Sequence, residues 1–180
     1  DLESEYESAT SGINTIVSNQ LSSALTWSNV PGLLSKVSAA GSGNVWGINK
    51  SAKSLYMCQS PCNGNWEAID ISKYEVNDVV DIATDMSNVY VLIVNKNGEP
   101  KLLVNSANSK SNFNMISIPN VHVNAIFSTN NYIWAQSPFY NKDLPKKYKC
   151  AKPCTTGNWI ESPDTKIIIT SSNEVILHIL

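Results

Sequence analysis

The chain has 180 residues, a formal net charge of −2 and a charged fraction of 16%. That length supports one domain with a sizeable core and no need for metals or many staples. Its 13 cations are all lysines, and phosphate binding needs clustered cations, so composition argues against a nucleic-acid partner. The densest basic run, Lys142, Lys146, Lys147, Lys149 and Lys152, is broken by Asp143 and Pro145 and reads as a solvated loop. No apolar run reaches 18 residues, which excludes a helical membrane span. The first residues include Asp1, Glu3, Glu5 and Glu7, not a cationic, apolar leader, so secretion implies a leader already removed.

In chain order, residues 1–20 read as an extension. Ile13, Ile16, Val17, Leu21 and Leu25 fall at helical spacing, which predicts a short amphipathic helix there. From residue 21 onward the chain repeats, in units of about 27–70, 71–118, 119–162 and a partial 163–180. Trp46, Tyr90, Trp134 and Ile176 occupy one position of the repeat, at intervals of 44, 44 and 42. Trp27, Trp66, Phe113 and Trp159 mark a second position, at intervals of 39, 47 and 46. A third marker is the pair of boxes Cys58-Gln-Ser-Pro-Cys62 and Cys150-Ala-Lys-Pro-Cys154, for which the middle repeat offers Val104 and Asn108.

Each unit predicts four short strands separated by turn signals. In the first these are 34–39, 44–48, 54–58 and 65–69. The second gives 79–84, 89–94, 101–104 and 113–118, with Asn97-Gly98 as a hairpin turn. The third gives 121–128, 132–137, 147–150 and 158–160, and the fourth only 166–170 and 175–180. Four strands in about 44 residues is the size of one propeller blade.

The run Trp27, Pro31-Gly32-Leu33, Gly41, Asn44-Val45-Trp46-Gly47-Ile48-Asn49 and Leu55-Tyr56 resembles the repeat of the tectonin family, which includes tectonins and fish-egg lectins. The Cys-x-x-Pro-Cys box before Asn-Trp resembles the cysteine-containing versions of that repeat. The resemblance covers about residues 21–180. It implies an all-β fold, a β-propeller of four-stranded antiparallel blades with three full repeats and part of a fourth. It also implies a secreted, extracellular carbohydrate-binding protein without reaction chemistry or cofactor, whose partners are glycans such as microbial surface sugars, in defence or egg protection. Six blades need about 250 residues at this period, so a longer chain, a homo-oligomer or a larger extracellular complex completes the ring. In a closed ring the Trp27 strand would complete the last blade.

Within such a ring the two cysteine boxes lie too far apart to bridge, since a disulfide needs Cα atoms within about 7 Å. Local disulfides Cys58–Cys62 and Cys150–Cys154 follow. Zinc ligation and reduced thiols are the alternatives. Asn49-Lys50-Ser51 is a glycosylation sequon on a predicted turn. Trp46, Tyr90 and Trp134 offer flat faces for sugar stacking, against the alternative that one aromatic per repeat builds the core. Phe139 and Tyr140, with Asn141 and Asp143 beside them, are further carbohydrate-binding candidates on the long third-repeat loop.

His122 and His178 sit in apolar stretches and read as structural. Asp78, Asp81 and Asp85 are close enough in sequence to suggest a calcium site, a weak pattern. No nucleophile elbow or phosphate loop is present, and glycosidase chemistry needs paired carboxylates across a cleft, so the chain is not read as an enzyme. The alternative function is a structural scaffold subunit of an extracellular assembly.

Overall fold

Short apolar stretches divided by Gly, Asn and Ser turns return on themselves, and each of the three full repeats forms one antiparallel meander. The computed structural model describes residues 28–138 and 145–162, with strands 167–169 and 175–177. The chain divides into two compact units, Asp1–Val30 and Pro31–Leu180. The helix expected from Ile13 to Leu25 and the strand expected at Trp27 lie outside the described residues.

The first sheet comprises β1 (Lys36–Ala39), β2 (Asn44–Asn49), β3 (Ser54–Gln59) and β4 (Glu67–Ile69). The second comprises β5 (Val76–Thr84), β6 (Asn88–Asn95), β7 (Pro100–Ser106) and β8 (Asn114–Ser117), preceded by a 3-10 turn at Ser72–Tyr74. β9 (Ala125–Ser128), β10 (Tyr132–Gln136), β11 (Lys147–Ala151) and β12 (Trp159–Glu161) make the third. In each sheet the spatial order is the sequence order. β13 (Ile167–Ile169) and β14 (Val175–Leu177) form a two-stranded hairpin. Among the described residues there is no α-helix.

The three sheets stack through two cores. Trp46, Ile48, Leu55 and Met57 of the first sheet pack with Val89, Val91, Ile93 and Leu103 of the second. Tyr90, Leu92, Leu102 and Val104 pack with Ile126, Ile133, Ala135 and Tyr148 of the third. Successive strand residues point to opposite faces, so β6 is buried on both and its sequence is an almost unbroken apolar run.

The second aromatic marker fastens each sheet to the chain that precedes it, which for Trp159 is the end of β8 in the second sheet. The Trp66 indole N–H donates to the Pro31 carbonyl at 2.9 Å, and that of Trp159 to the Ser117 carbonyl at 2.9 Å. In the middle repeat Phe113 lies edge-on to Tyr74, whose hydroxyl donates to the Phe113 carbonyl at 2.8 Å. Two residues before each tryptophan the backbone turns through positive φ, at Gly64 (88°) and Gly157 (67°), a region that favours glycine.

Both cysteine pairs are local disulfides, Cys58–Cys62 and Cys150–Cys154, with Cα–Cα separations of 5.6 and 5.4 Å. The ladders correct the middle-repeat alignment by one residue. Cys58 opposes Val45 and Cys150 opposes Ile133, and the matching residue opposite Val89 is Asn105, not Val104. The Asn105 amide donates to the carbonyls of Ser109 (3.3 Å) and Ser111 (2.7 Å), so a hydrogen-bonded loop stands where its neighbours have a disulfide. Loop-closure entropy for so short a ring is about 2 kcal/mol. Cys58→Ser/Cys62→Ser is therefore expected to lower unfolding free energy by about 2 kcal/mol in urea titration. A change under about 0.5 kcal/mol would show the bridge to be dispensable.

Two further expectations are corrected. The strand expected to start at Val121 begins at Ala125, because Asn120 closes a turn by accepting the His122 N–H at 2.9 Å. His122 is exposed, not held inside a strand, while His178 lies outside the described residues. The basic run is not uniformly solvated: Lys147 is buried in β11, and Lys149 sits 4.7 Å from the Tyr132 ring centroid.

Candidate functional site

The end of each sheet's first strand and the turn after it carry the same three repeat positions: Ala39-Ala40-Gly41, Thr84-Asp85-Met86 and Ser128-Thr129-Asn130. Together with Lys152 they line one pocket of about 630 Å³, within the range of small-molecule sites.

The first strands are tied beneath it. Asp81, at a bulge in β5, accepts from Lys36 Nζ (2.6 Å), from its neighbour Ile82 N (2.8 Å) and from Ile126 N (2.9 Å). One buried carboxylate thus joins β1, β5 and β9. Nearer the pocket, Ser38 Oγ lies 2.7 Å from Thr84 Oγ1, which donates to the Ala39 carbonyl at 2.8 Å, and Gly41 N donates to the Asp85 carbonyl at 3.1 Å.

Asp85 is saturated by protein. Its Oδ1 accepts from Ser87 N (2.9 Å), Asn88 N (2.7 Å) and Asn88 Nδ2 (3.3 Å), and its Oδ2 from Tyr90 Oη (2.9 Å) and Lys152 Nζ (3.1 Å). Burial pushes its carboxyl up, but the Ser87 and Asn88 N–H groups, with Lys152 and Tyr90, outweigh it and hold it below the ordinary carboxylate range. Burial and the Asp85 charge keep the Tyr90 phenol protonated well above its usual range.

A depressed carboxylate contributes stability that is present above the unfolded-state value, about 3.9, and is lost as pH falls through the lower folded value. Asp70, bonded by the Ser72 hydroxyl and N–H, and Glu99, bonded by Asn95 and Lys101, have the same sign. Asp85→Asn is accordingly expected to lose less stability than wild type as pH falls below about 4. Parallel acid limbs in the two proteins would contradict this.

The polar side chains lining the cavity beside Asp85 include the Ser128 hydroxyl, which accepts from Lys152 at 2.6 Å, the Lys152 ammonium and the exposed Asn130 amide. Apolar surface comes from Ala39, Ala40 and Met86, the last 73% exposed. The lysine charge is offset by Asp85, so the pocket combines donors with apolar contact and little net charge.

The candidates read from sequence are distributed differently. Trp46 and Tyr90 are 0% exposed. Trp46 donates its indole N–H to the Ala107 carbonyl at 3.0 Å and meets Phe113 edge-on. The sugar-stacking expectation is therefore corrected to the core alternative for both, because each ring is covered by the next sheet. Trp134 is half-buried, donates to Thr129 Oγ1 at 3.2 Å, meets Tyr132 edge-on at 6.3 Å and lies 5.8 Å from Lys149 Nζ. Phe139, Tyr140, Asn141 and Asp143 lie outside the described residues. Asn49 is half-buried at the β2–β3 turn, where its amide donates to the Leu33 carbonyl (2.7 Å) and its oxygen accepts from Ala52 N (2.9 Å).

Asp78, Asp81 and Asp85 do not converge: each faces its own lysine, Lys53, Lys36 and Lys152. The calcium expectation fails on that geometry, and among the described residues no group of three His, Cys, Asp or Glu forms a metal-ligand set. Also among the described residues, no helix is long and apolar enough to cross a membrane.

Fold and pocket together define an all-β repeat protein of stacked four-stranded meanders, with a cavity of mixed polar and apolar lining where the first turns meet. No protein-family model matches the chain, and no curated protein is significantly similar to it.

Proposed function

We propose that this chain is part of a secreted, non-catalytic carbohydrate-binding protein, a tectonin-type β-propeller, and that it takes a neutral glycan in the pocket between the three first turns. The observation that carries the reading is the convergence of three matching repeat positions on one cavity of about 630 Å³. Its carboxylate is already saturated, and the Ser128 hydroxyl, the Lys152 ammonium and the Asn130 amide can donate beside small apolar side chains. Sugar hydroxyl and ring oxygens accept such donors, and pyranose C–H faces suit the alanine and methionine surface. Three stacked four-stranded meanders and two local disulfides support the propeller and the oxidising compartment.

Glycan-array screening followed by calorimetric titration tests this. Asn130→Ala is expected to weaken binding about 5–10-fold, the value of one neutral hydrogen bond. No signal from any glycan class, or binding indifferent to Asn130 and Met86, would sink it. A second reading, a scaffold subunit, draws on Trp134, whose counterparts Trp46 and Tyr90 are covered by a neighbouring sheet while it remains half-buried. Native mass measurement showing fixed stoichiometry with other chains, without sugar affinity, would favour it.

A further inference from the structure

We propose that Lys152, held in place by the Cys150–Cys154 disulfide, is the specificity-determining residue of the pocket, an inference that rests on the glycan-site reading above. Three backbone hydrogen bonds show that one position recurs in each of the three full repeats: Ser60 N to the Gly43 carbonyl (2.9 Å), Ala107 N to that of Ser87 (2.7 Å) and Lys152 N to that of Asn131 (3.0 Å). Ser60 is exposed and uncharged, and Ala107 is buried with its carbonyl taken by Trp46. Among the three described repeats, the third places a cation there.

The Lys152 side chain crosses from the third sheet to the second. Its Nζ lies 2.6 Å from Ser128 Oγ, 3.1 Å from Asp85 Oδ2 and 5.9 Å from the Tyr90 ring centroid, with the side chain 14% exposed. A free lysine loses up to about 2 kcal/mol of rotamer freedom when fixed in one place. Here the backbone from which it springs is already fixed inside a five-residue loop closed by the disulfide. Cys150 and Cys154 are each 1% exposed and belong to the core between the second and third sheets, so the loop is anchored to the body of the protein. The ammonium, which can donate three hydrogens and engages Ser128 and Asp85, is thereby held at the pocket wall before binding. Cys58–Cys62 is a matched control, because it closes the same loop around Ser60, which lies outside the pocket.

The test compares wild type, Cys150→Ser/Cys154→Ser, Cys58→Ser/Cys62→Ser and Lys152→Met. Lysine acetylation by acetic anhydride is read by mass spectrometry, the Asp85 carboxyl is titrated by carbon-13 NMR, and each protein is run on the same glycan array. Lys152 and Tyr90 are the titratable groups facing that carboxyl. In Cys150→Ser/Cys154→Ser, Lys152 is expected to become about tenfold more reactive, the Asp85 midpoint to rise and the array profile to lose intensity and selectivity. Lys152→Met, which keeps the disulfide, should reproduce the last two effects, so the result does not depend on the cysteine variant folding. Cys58→Ser/Cys62→Ser should match wild type in all three. Unchanged Lys152 reactivity and Asp85 midpoint in the Cys150→Ser/Cys154→Ser protein would overturn the positioning role. An unchanged array profile for Lys152→Met would overturn the specificity role. An array blank for wild type, with labelling and titration as expected, would instead remove the glycan reading and leave the positioning intact.

Discussion

Asp81→Ala is expected to cost about 3–5 kcal/mol of stability, the range for stripping one partner from a buried ion pair. The carboxylate is 6% exposed and serves three strands from three sheets. Removing it leaves the Lys36 ammonium, whose side chain is only 20% exposed, without its anion, and leaves the N–H groups of Ile82 and Ile126 without acceptors. At about 2–4 °C per kcal/mol for a chain this size, the melting temperature should fall about 6–20 °C. Asp81→Asn keeps an acceptor oxygen and should lose less. Asp78→Ala is the control: its bridge to Lys53 is 3.5 Å long with both side chains half exposed, and pairs of that kind contribute about 0–1 kcal/mol. Thermal unfolding followed by circular dichroism compares them. If Asp81→Ala and Asp78→Ala cost the same, the three-strand junction is not a stabilising element.

The second large effect separates two tryptophans that occupy one repeat position. Trp46→Ala opens a void between the first and second sheets and is expected to cost about 3–5 kcal/mol. Its loss also removes the edge-on contact with Phe113 at 6.1 Å, while the Ala107 carbonyl keeps the Asn44 amide at 3.0 Å as donor. Trp134→Ala removes a half-buried ring with one weak hydrogen bond, and about 1 kcal/mol is expected. Urea unfolding resolves the difference readily. Equal losses would mean that Trp134 is covered as fully as Trp46, which packs against the second sheet.

Much of the fold was readable from periodicity. The observed strands fall within a few residues of those expected, because Gly41–Gly43, Asn49–Lys53 and Asn97-Gly98 end strands by local backbone preference, and the 44-residue interval locates β2, β6 and β10. The local disulfides were readable as well, since a four-residue separation and a repeated box restrict the partners. The Val104 alignment failed by one residue because spacing alone cannot see which residue a ladder places opposite Val89, and Asn105 carries no cysteine to mark it.

The pocket was much less legible. Its lining comes from residues about 45 apart, many of them small and unremarkable: Ala39, Thr84, Ser128. A signal did exist, in that the three turns align in the repeat, but nothing local marks them as ligand-facing. Asp85 illustrates the difficulty. Its neighbours in sequence suggested a cation site, whereas its partners in space, Lys152 and Tyr90, arrive from another strand and another sheet.

By itself, then, the order of residues determined what local rules govern: strand, turn, meander and short-range disulfide. The stacking of sheet on sheet decided the rest, because burial and charge pairing depend on neighbours distant in sequence. That is why Trp46 and Tyr90 became core, why Asp78, Asp81 and Asp85 each went to a different lysine, and why Lys152, read as part of a solvated run, stands at the candidate site.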